Sequence, residues 1–403
     1  MNGKLHMNIP RFLLKALLSA LILAACGAKT TNMMPTEETV TIVESTAISP
    51  LVPTPSNSSA LYPSHLPLIT KPDILSVNQL AFTYGFSVFI LDQNKDGFEK
   101  LNPQGFGELR SIAWSPDGAT LAMIGIGGTT SIVPNIYMVD VNGKDFRPLI
   151  SEPMPYLMET AWSYDGERLI SWGPSENNTL YLVNKDGSGL TKIELDMQVF
   201  GKPQFAPDDA SLYFFGAGET SGLFQVGLDG SSIRNVNDQI ENTEAFAWSP
   251  DGSQLAYVEV DREQKETRLI IENIVSSEKI TASTFQFTEL NGNGNTLSLE
   301  WTPDGRYILF DIELGFDNYV IIAANTDGSG TKKLFESARI PSISPDGKWL
   351  AYMGIKEKAP PQLLLADLIS ALASSEAINP IVVADLPAKR NGSEELDEIR
   401  WKP

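Results

Sequence analysis

A closed ring of four-stranded antiparallel β-sheets is the all-β fold class this sequence predicts. Three observations predict it: a recurring five-residue motif, the spacing of its copies, and a first strand that is missing at one end of the chain and present at the other. Trp114-Ser115-Pro116-Asp117-Gly118 returns intact as Trp248-Ser249-Pro250-Asp251-Gly252. Near-copies begin at Trp162, Phe205, Trp301 and Ile343, and a truncated copy, Trp401-Lys402-Pro403, closes the sequence. Successive copies are 48, 43, 43, 53, 42 and 58 residues apart. Self-similarity at this period marks a β-propeller, in which each repeat forms one blade.

Each repeat justifies its strands in turn. The residues ending at the Trp read as a first strand. Ser, Pro, Asp and Gly then suit the four positions of a type I turn, with Pro presetting φ at the second. A short apolar strand follows, such as Leu121-Ala122-Met123 or Leu255-Ala256-Tyr257. Next come a variable loop and a third strand, as in Ile136-Tyr137-Met138-Val139-Asp140. An Asp-Gly or Asn-Gly turn leads to the fourth. The Trp is expected to wedge between neighbouring blades, a burial that contributes roughly 1.5–3 kcal/mol or more.

The chain ends set the blade count. Leu80-Ala81-Phe82, Val88-Phe89-Ile90-Leu91-Asp92 and Phe98-Glu99-Lys100-Leu101 read as second, third and fourth strands with no motif strand before them. The missing first strand is found at residues 396–402. Pairing the two ends in one blade completes seven blades and removes two open edges.

These strands resemble the repeat of the TolB family of β-propellers over nearly all of residues 75–403. The resemblance implies the propeller architecture and says little about activity, because similar repeats serve envelope scaffolds and the propeller domains of prolyl-oligopeptidase-like enzymes. TolB carries six blades behind a separate α/β domain, whereas seven blades and no such domain are expected here. TolB's own partners are therefore not carried over.

The N-terminal residues 1–25 read as a signal peptide, with Lys4, Arg11 and Lys15 ahead of an apolar run too short to span a membrane. Leu23-Ala24-Ala25-Cys26 resembles the bacterial lipobox, which implies cleavage before Cys26 and lipidation of that residue. Cys26 is the only cysteine, so an intramolecular disulfide is excluded. Residues 26–73 are rich in Thr, Ser, Pro and Asn and read as a disordered tether spanning roughly 40 Å. The propeller is expected over residues 74–403. The location implied is extracytoplasmic and membrane-anchored through lipid alone, on the periplasmic or cell-surface side of a bacterium.

The chain has 50 acidic and 30 basic residues, a net charge of −20. Loss of the signal peptide would remove three bases and take it to −23. Such a surface repels nucleic acid, which is set aside as a partner. A monomer is expected.

Catalytic chemistry is mostly excluded by composition. Of two histidines, His6 lies in the signal peptide and His65 in the tether. A Ser-His-Asp triad or a histidine-held metal in the ring has no imidazole to use. No nucleophile elbow, P-loop or dinucleotide fingerprint is present. Sialidase Asp-boxes separate Asp from Gly by one residue, and here they are adjacent. Carboxylate-only chemistry, as in a glycosidase or lyase, stays open because the fold sets the separation of two acids.

One cation candidate arises at Asp92, Asn94 and Asp96, followed by Gly97, which match the first half of a Ca²⁺-binding EF-hand loop. Pro103 stands where the bidentate Glu would be. The same segment coincides with a third-to-fourth-strand turn, so the turn is the preferred reading and no cofactor is expected.

Connections on one face are tight, and those on the other vary: residues 125–134, 154–157, 259–267, 283–295, 311–317 and 354–361. Insertions gather on the binding face of repeat proteins. Phe106, Tyr156 and Phe200 precede first strands on that face, where each either stacks a ligand or packs under its own loop. Residues 367–378 are expected to add a short helix outside the last blade. The reading is a non-catalytic binding or scaffold module for an envelope protein, peptide or glycan; the alternative is a carboxylate-based carbohydrate-active enzyme with its site at the channel mouth.

Overall fold

The computed structural model describes residues 65–70, 73, 75, 78–92, 96–101, 106–127, 134–151, 154, 157–173, 178–237, 245–261, 263–286, 298–315, 318–355, 360–387 and 398–403. All lie in the second of two compact units, Asn57–Pro403. The segments expected to form a signal peptide and most of a tether, with Cys26, lie outside the described residues.

Seven antiparallel sheets form the ring. Blade 1 contains β1 (His65–Pro67), β2 (Leu80–Tyr84), β3 (Ser87–Asp92) and β4 (Gly97–Lys100). Blade 2 comprises β5 (Phe106–Trp114), β6 (Thr120–Gly127), β7 (Asn135–Asp140) and β8 (Arg147–Pro148). Blade 3 comprises β9 (Glu159–Trp162), β10 (Arg168–Trp172), β11 (Thr179–Asn184) and β12 (Thr191–Glu194). Blade 4 holds β13 (Gln198–Phe205), β14 (Ser211–Ala217), β15 (Ser221–Gly227) and β16 (Arg234–Asn237), and blade 5 holds β17 (Phe246–Trp248), β18 (Gln254–Asp261), β19 (Glu266–Asn273) and β20 (Lys279–Gln286). Blade 6 runs through β21 (Leu299–Trp301), β22 (Tyr307–Gly315), β23 (Asn318–Asn325) and β24 (Thr331–Glu336). Blade 7 is β25 (Ala338–Ile343), β26 (Trp349–Gly354), β27 (Gln362–Asp367) and β28 (Ile381–Asp385).

The last strand, β29 (Ile399–Trp401), completes blade 1 in the order β1-β4-β3-β2-β29. Its register is Leu80↔Trp401, Ala81↔Arg400 and Phe82↔Ile399. The core lies between blades rather than at one centre. Phe82, Ile399 and Trp401 of blade 1 pack in one cluster with Met353, Leu363 and Val383 of blade 7. Trp114, Trp248, Trp301 and Trp401 are all buried. The indole N–H of Trp162, Trp301 and Trp401 each donates to a first-strand carbonyl of the preceding blade, at 3.0 Å to Ala113, Ala247 and Ser342. A wedge that is both packed and hydrogen-bonded sets the blade-to-blade angle at these seams.

The turn chemistry repeats with the motif. Ser249 Oγ donates to Asp251 Oδ1 at 2.7 Å and accepts from the N–H of Gln254 at 2.9 Å. Gly252 closes the turn at φ 71°. The hydroxyl and the backbone N–H groups hold the Asp117, Asp165 and Asp251 carboxyls below the usual carboxylate range. In blade 4, Asp209 replaces this Gly and still adopts φ 54°. Its carboxylate accepts the N–H groups of Tyr164 and Asp165 in blade 3, both at 2.7 Å, which compensates for an uncommon conformation.

Two expectations are revised. His65–Pro67, assigned to the tether by composition, is a fifth strand of blade 1, with His65↔Glu99 and Pro67↔Gly97 in register. Leu66 is buried, and Ile69 N–H donates to Val383 O of blade 7 at 2.8 Å, so this segment bridges the seam between the first and last blades. Two of the variable loops are also largely strand, because β18 continues to Asp261 and β22 to Gly315. Cross-strand pairing outlasts the apolar alternation there. The helix expected outside blade 7 is present between β27 and β28 as α1 (Leu368–Ala373), capped by Asp367, with Lys332 Nζ donating to the Leu372 carbonyl at 3.1 Å.

Ser249→Ala removes two hydrogen bonds from a buried turn and is expected to lower stability by about 1–2 kcal/mol, read from the midpoint of urea unfolding. Gly97→Ala would drive a methyl group into the His65 imidazole and the Leu66 carbonyl. It is expected to unseat β1, exposing residues 65–69 to backbone hydrogen exchange while the other blades stay protected.

Candidate functional site

The first strands of all seven blades line the axis, and fixed positions before the motif aromatic place side chains in the channel. Three residues before it stand Ser111, Glu159, Lys202, Ser298 and Glu398. Lys202 Nζ pairs with Glu159 of blade 3 at 3.2 Å and also with Glu398. Glu398 precedes β29 and so belongs to blade 1, which is not a neighbour of blade 4. The pair therefore spans the channel. Glu398 is buried, accepts from the Ile112 N–H of blade 2, and pairs with Arg400 at 3.2 Å. Each buried charge thus meets a partner, without which burial would cost several kcal/mol.

One residue before the aromatic stand Gln204, Glu300 and Arg400. Gln204 Nε2 donates to Phe246 O at 2.8 Å, and Glu300 accepts from the Ile343 N–H at 3.0 Å, each reaching the following blade. Burial pushes the Glu300 carboxyl up to about 7, against the attraction of Arg400 and the Ile343 N–H. A channel acid that titrates near neutrality is a group able to hold or release a proton.

A cavity of about 280 Å³ occupies this channel. Lys202, Glu398, Arg400 and Ile112 lie on its wall, with Trp162 and Tyr164 nearer the Pro-Asp-Gly-type turns. Its lining runs from the ends of first strands into those turns, so it belongs to the tight-turn end rather than to the loop face.

The aromatics proposed from sequence are distributed differently. Phe106 opens β5 and pairs in register with Gly127; Phe200 lies within β13 opposite Phe215. Both are therefore inside the entry halves of first strands rather than ahead of them. Tyr156 lies outside the described residues. In the cation candidate, Asp92 pairs with Gly97 across the β3–β4 hairpin and Asp96 takes φ 50°, which is the geometry of the turn. Asn94 lies outside the described residues. Among the described residues, no three His, Cys, Asp or Glu side chains group as metal ligands, and no helix is long and apolar enough to cross a membrane.

Sequence reasoning did not single out Lys202, Glu159, Glu398, Glu300 or Arg400. The signal was present: each is charged at an offset from the motif aromatic where other blades carry Ala, Ser or Ile.

Seven antiparallel blades, six of four strands and one extended to five, with interblade tryptophans define a β-propeller of the repeat type. Residues 104–339, more than half of the 403-residue chain, match the TolB beta propeller domain, and the chain belongs to that family. Among solved structures it is similar to a protein from Lactobacillus plantarum, with a TM-score of 0.56 and 12% identity over 80% of this chain and 98% of that one. It is also similar to an oligogalacturonate lyase in complex with manganese, at TM-score 0.54 and 18% identity over 70% and 82% of the two chains. The oligogalacturonate lyase of Vibrio parahaemolyticus gives a TM-score of 0.52 and 16% identity over 74% and 92%. At these identities the likeness is one of fold.

Because the folded Glu300 holds its proton above the unfolded pKa, its contribution to stability is largest below about pH 4.5 and declines as pH rises through about 7. Glu300→Gln is expected to remove a decline on the order of 2–3 kcal/mol between pH 5 and 8, measured by urea unfolding across that range.

Proposed function

We propose that this protein is a lipid-anchored, extracytoplasmic β-propeller that binds an envelope protein, a peptide or a glycan without catalysing a reaction. The observation that carries this reading is the ion pair across the channel. Two of the channel acids, Glu159 and Glu398, are both engaged by Lys202. A retaining or inverting glycosidase needs two carboxyl groups facing a bond with substrate between them. Here a lysine stands between them. Binding then falls to the faces of the ring, and the connections between second and third strands and between blades supply a surface of variable length. Anchoring at Cys26 would hold that surface near the membrane, consistent with the lipobox-like Leu23-Ala24-Ala25-Cys26.

A second reading, a carbohydrate-active enzyme, is favoured by Glu300, whose carboxyl near pH 7 suits a general acid. It also draws on the fold shared with oligogalacturonate lyases.

Cross-linking in intact cells, followed by purification through the anchored chain and mass spectrometry, tests the binding reading. A partner captured by the native protein is expected to be lost with the triple variant Phe106→Ala, Tyr156→Ala, Phe200→Ala, provided circular dichroism shows an intact fold. Capture undiminished by the triple variant would remove the loop face as the binding surface. Depolymerisation of an acidic polysaccharide that is abolished by Glu300→Gln would replace binding by catalysis.

A further inference from the structure

The cavity at the tight-turn end of the channel is not used by the loop-face reading and stands independently of it. Its volume, about 280 Å³, is just below the range that accepts drug-sized ligands, so it suits a molecule of monosaccharide or amino-acid size. One part of its wall is apolar, through Ile112, Ala161, Trp162 and Phe205. The other is charged, through Lys202, Arg400 and Glu398.

Arg400 is the group that distinguishes this wall. A guanidinium offers five N–H donors in a planar fork. Arg400 uses Nη2 toward Glu398 at 3.2 Å and Nη1 toward the Ile399 carbonyl at 3.3 Å. Its remaining donors have no partner among the described residues, and the side chain is 38% exposed. A fork of this kind, held by a buried carboxylate on one side and open on the other, matches a carboxylate ligand in bidentate geometry.

We propose that the tight-turn end of the channel is a binding site for a small amphipathic monocarboxylate. Its carboxylate pairs with Arg400, and its apolar body lies against Trp162 and Ile112. The cation next to the site is also shared internally. Glu300 on β21 is drawn to Arg400 of β29 and accepts the Ile343 N–H of β25. The other charged groups around the axis are Lys202 of β13, Glu159 of β9 and Glu398, with Asp311 of β22 and Arg339 of β25 buried at the neighbouring blades.

Benzoate, with benzamide as its neutral counterpart, is the probe. Saturation-transfer NMR and calorimetry on the full chain are expected to show benzoate bound and benzamide not. Arg400→Gln should weaken benzoate by tenfold or more. Arg400 lies in the closing strand, so Ala161→Leu, which fills the cavity from blade 3, gives a second route to the same loss. No benzoate signal at millimolar concentration overturns the proposal. So does equal binding of benzamide, or binding unchanged in folded Ala161→Leu.

Discussion

The pairing of β29 with β2 is the constraint on which the rest of the molecule depends. Two segments more than 300 residues apart make one blade, held by the Leu80↔Trp401 to Phe82↔Ile399 register and by Thr83 N–H donating to Glu398 O at 3.0 Å. Without this pairing, β2 would present an open edge. The ring would also lose the cluster in which Phe82 and Trp401 meet Met353 and Leu363. Each such side chain contributes roughly 1.5–3 kcal/mol on burial, so the seam rests on packing as much as on backbone bonds. β1 adds a further bond across the seam, from Ile69 to Val383.

Closure also creates the polar axis. Glu398 reaches the channel only because β29 is delivered to blade 1, and there it meets Lys202 from the opposite side of the ring. A charge at the centre of a narrow channel is costly unless opposed. Glu159, Lys202, Glu398 and Arg400 satisfy one another, each supplied by a first strand or the residue just before it. Glu300 is the exception in degree: its ionic partner is weak against its burial, so protonation becomes its route to neutrality. The channel is thus a set of interblade bonds with one group left responsive to pH near neutrality.

Between seams, the structure relies on repetition. The hydroxyl-to-Asp bond in five of the motif turns, those beginning at Ser115, Ser163, Ser249, Thr302 and Ser344, and the indole-to-carbonyl bond of Trp162, Trp301 and Trp401 recur with the same kinds of partner. Departures are compensated locally. Asp209 stands where Gly is otherwise found and repays its positive φ by clasping the neighbouring turn. Trp114 and Trp248 are buried without a hydrogen-bond partner for the indole N–H among the described residues. There the indole contributes packing, as in the edge-on contact of Trp248 with Tyr213 at 4.8 Å.

The sequence by itself determined the propeller, the seven blades and the shared first blade, because these follow from local turn chemistry and the spacing of one motif. It also indicated the short helix on the outside of blade 7 from composition. It did not reveal β1, since His65-Leu66-Pro67 has too few residues for a strand pattern and gains its structure only from β4. Nor did it reveal the extent of β18 and β22, whose ends are held by cross-strand bonds rather than by apolar alternation. The channel charges were visible as residues but not as a site. Lys202 and Glu398 are 196 positions apart, and only the closed ring brings them together. Tertiary structure decided that contact, the cavity beside it and the upward push on the Glu300 carboxyl, because burial and distance across an axis have no local signature.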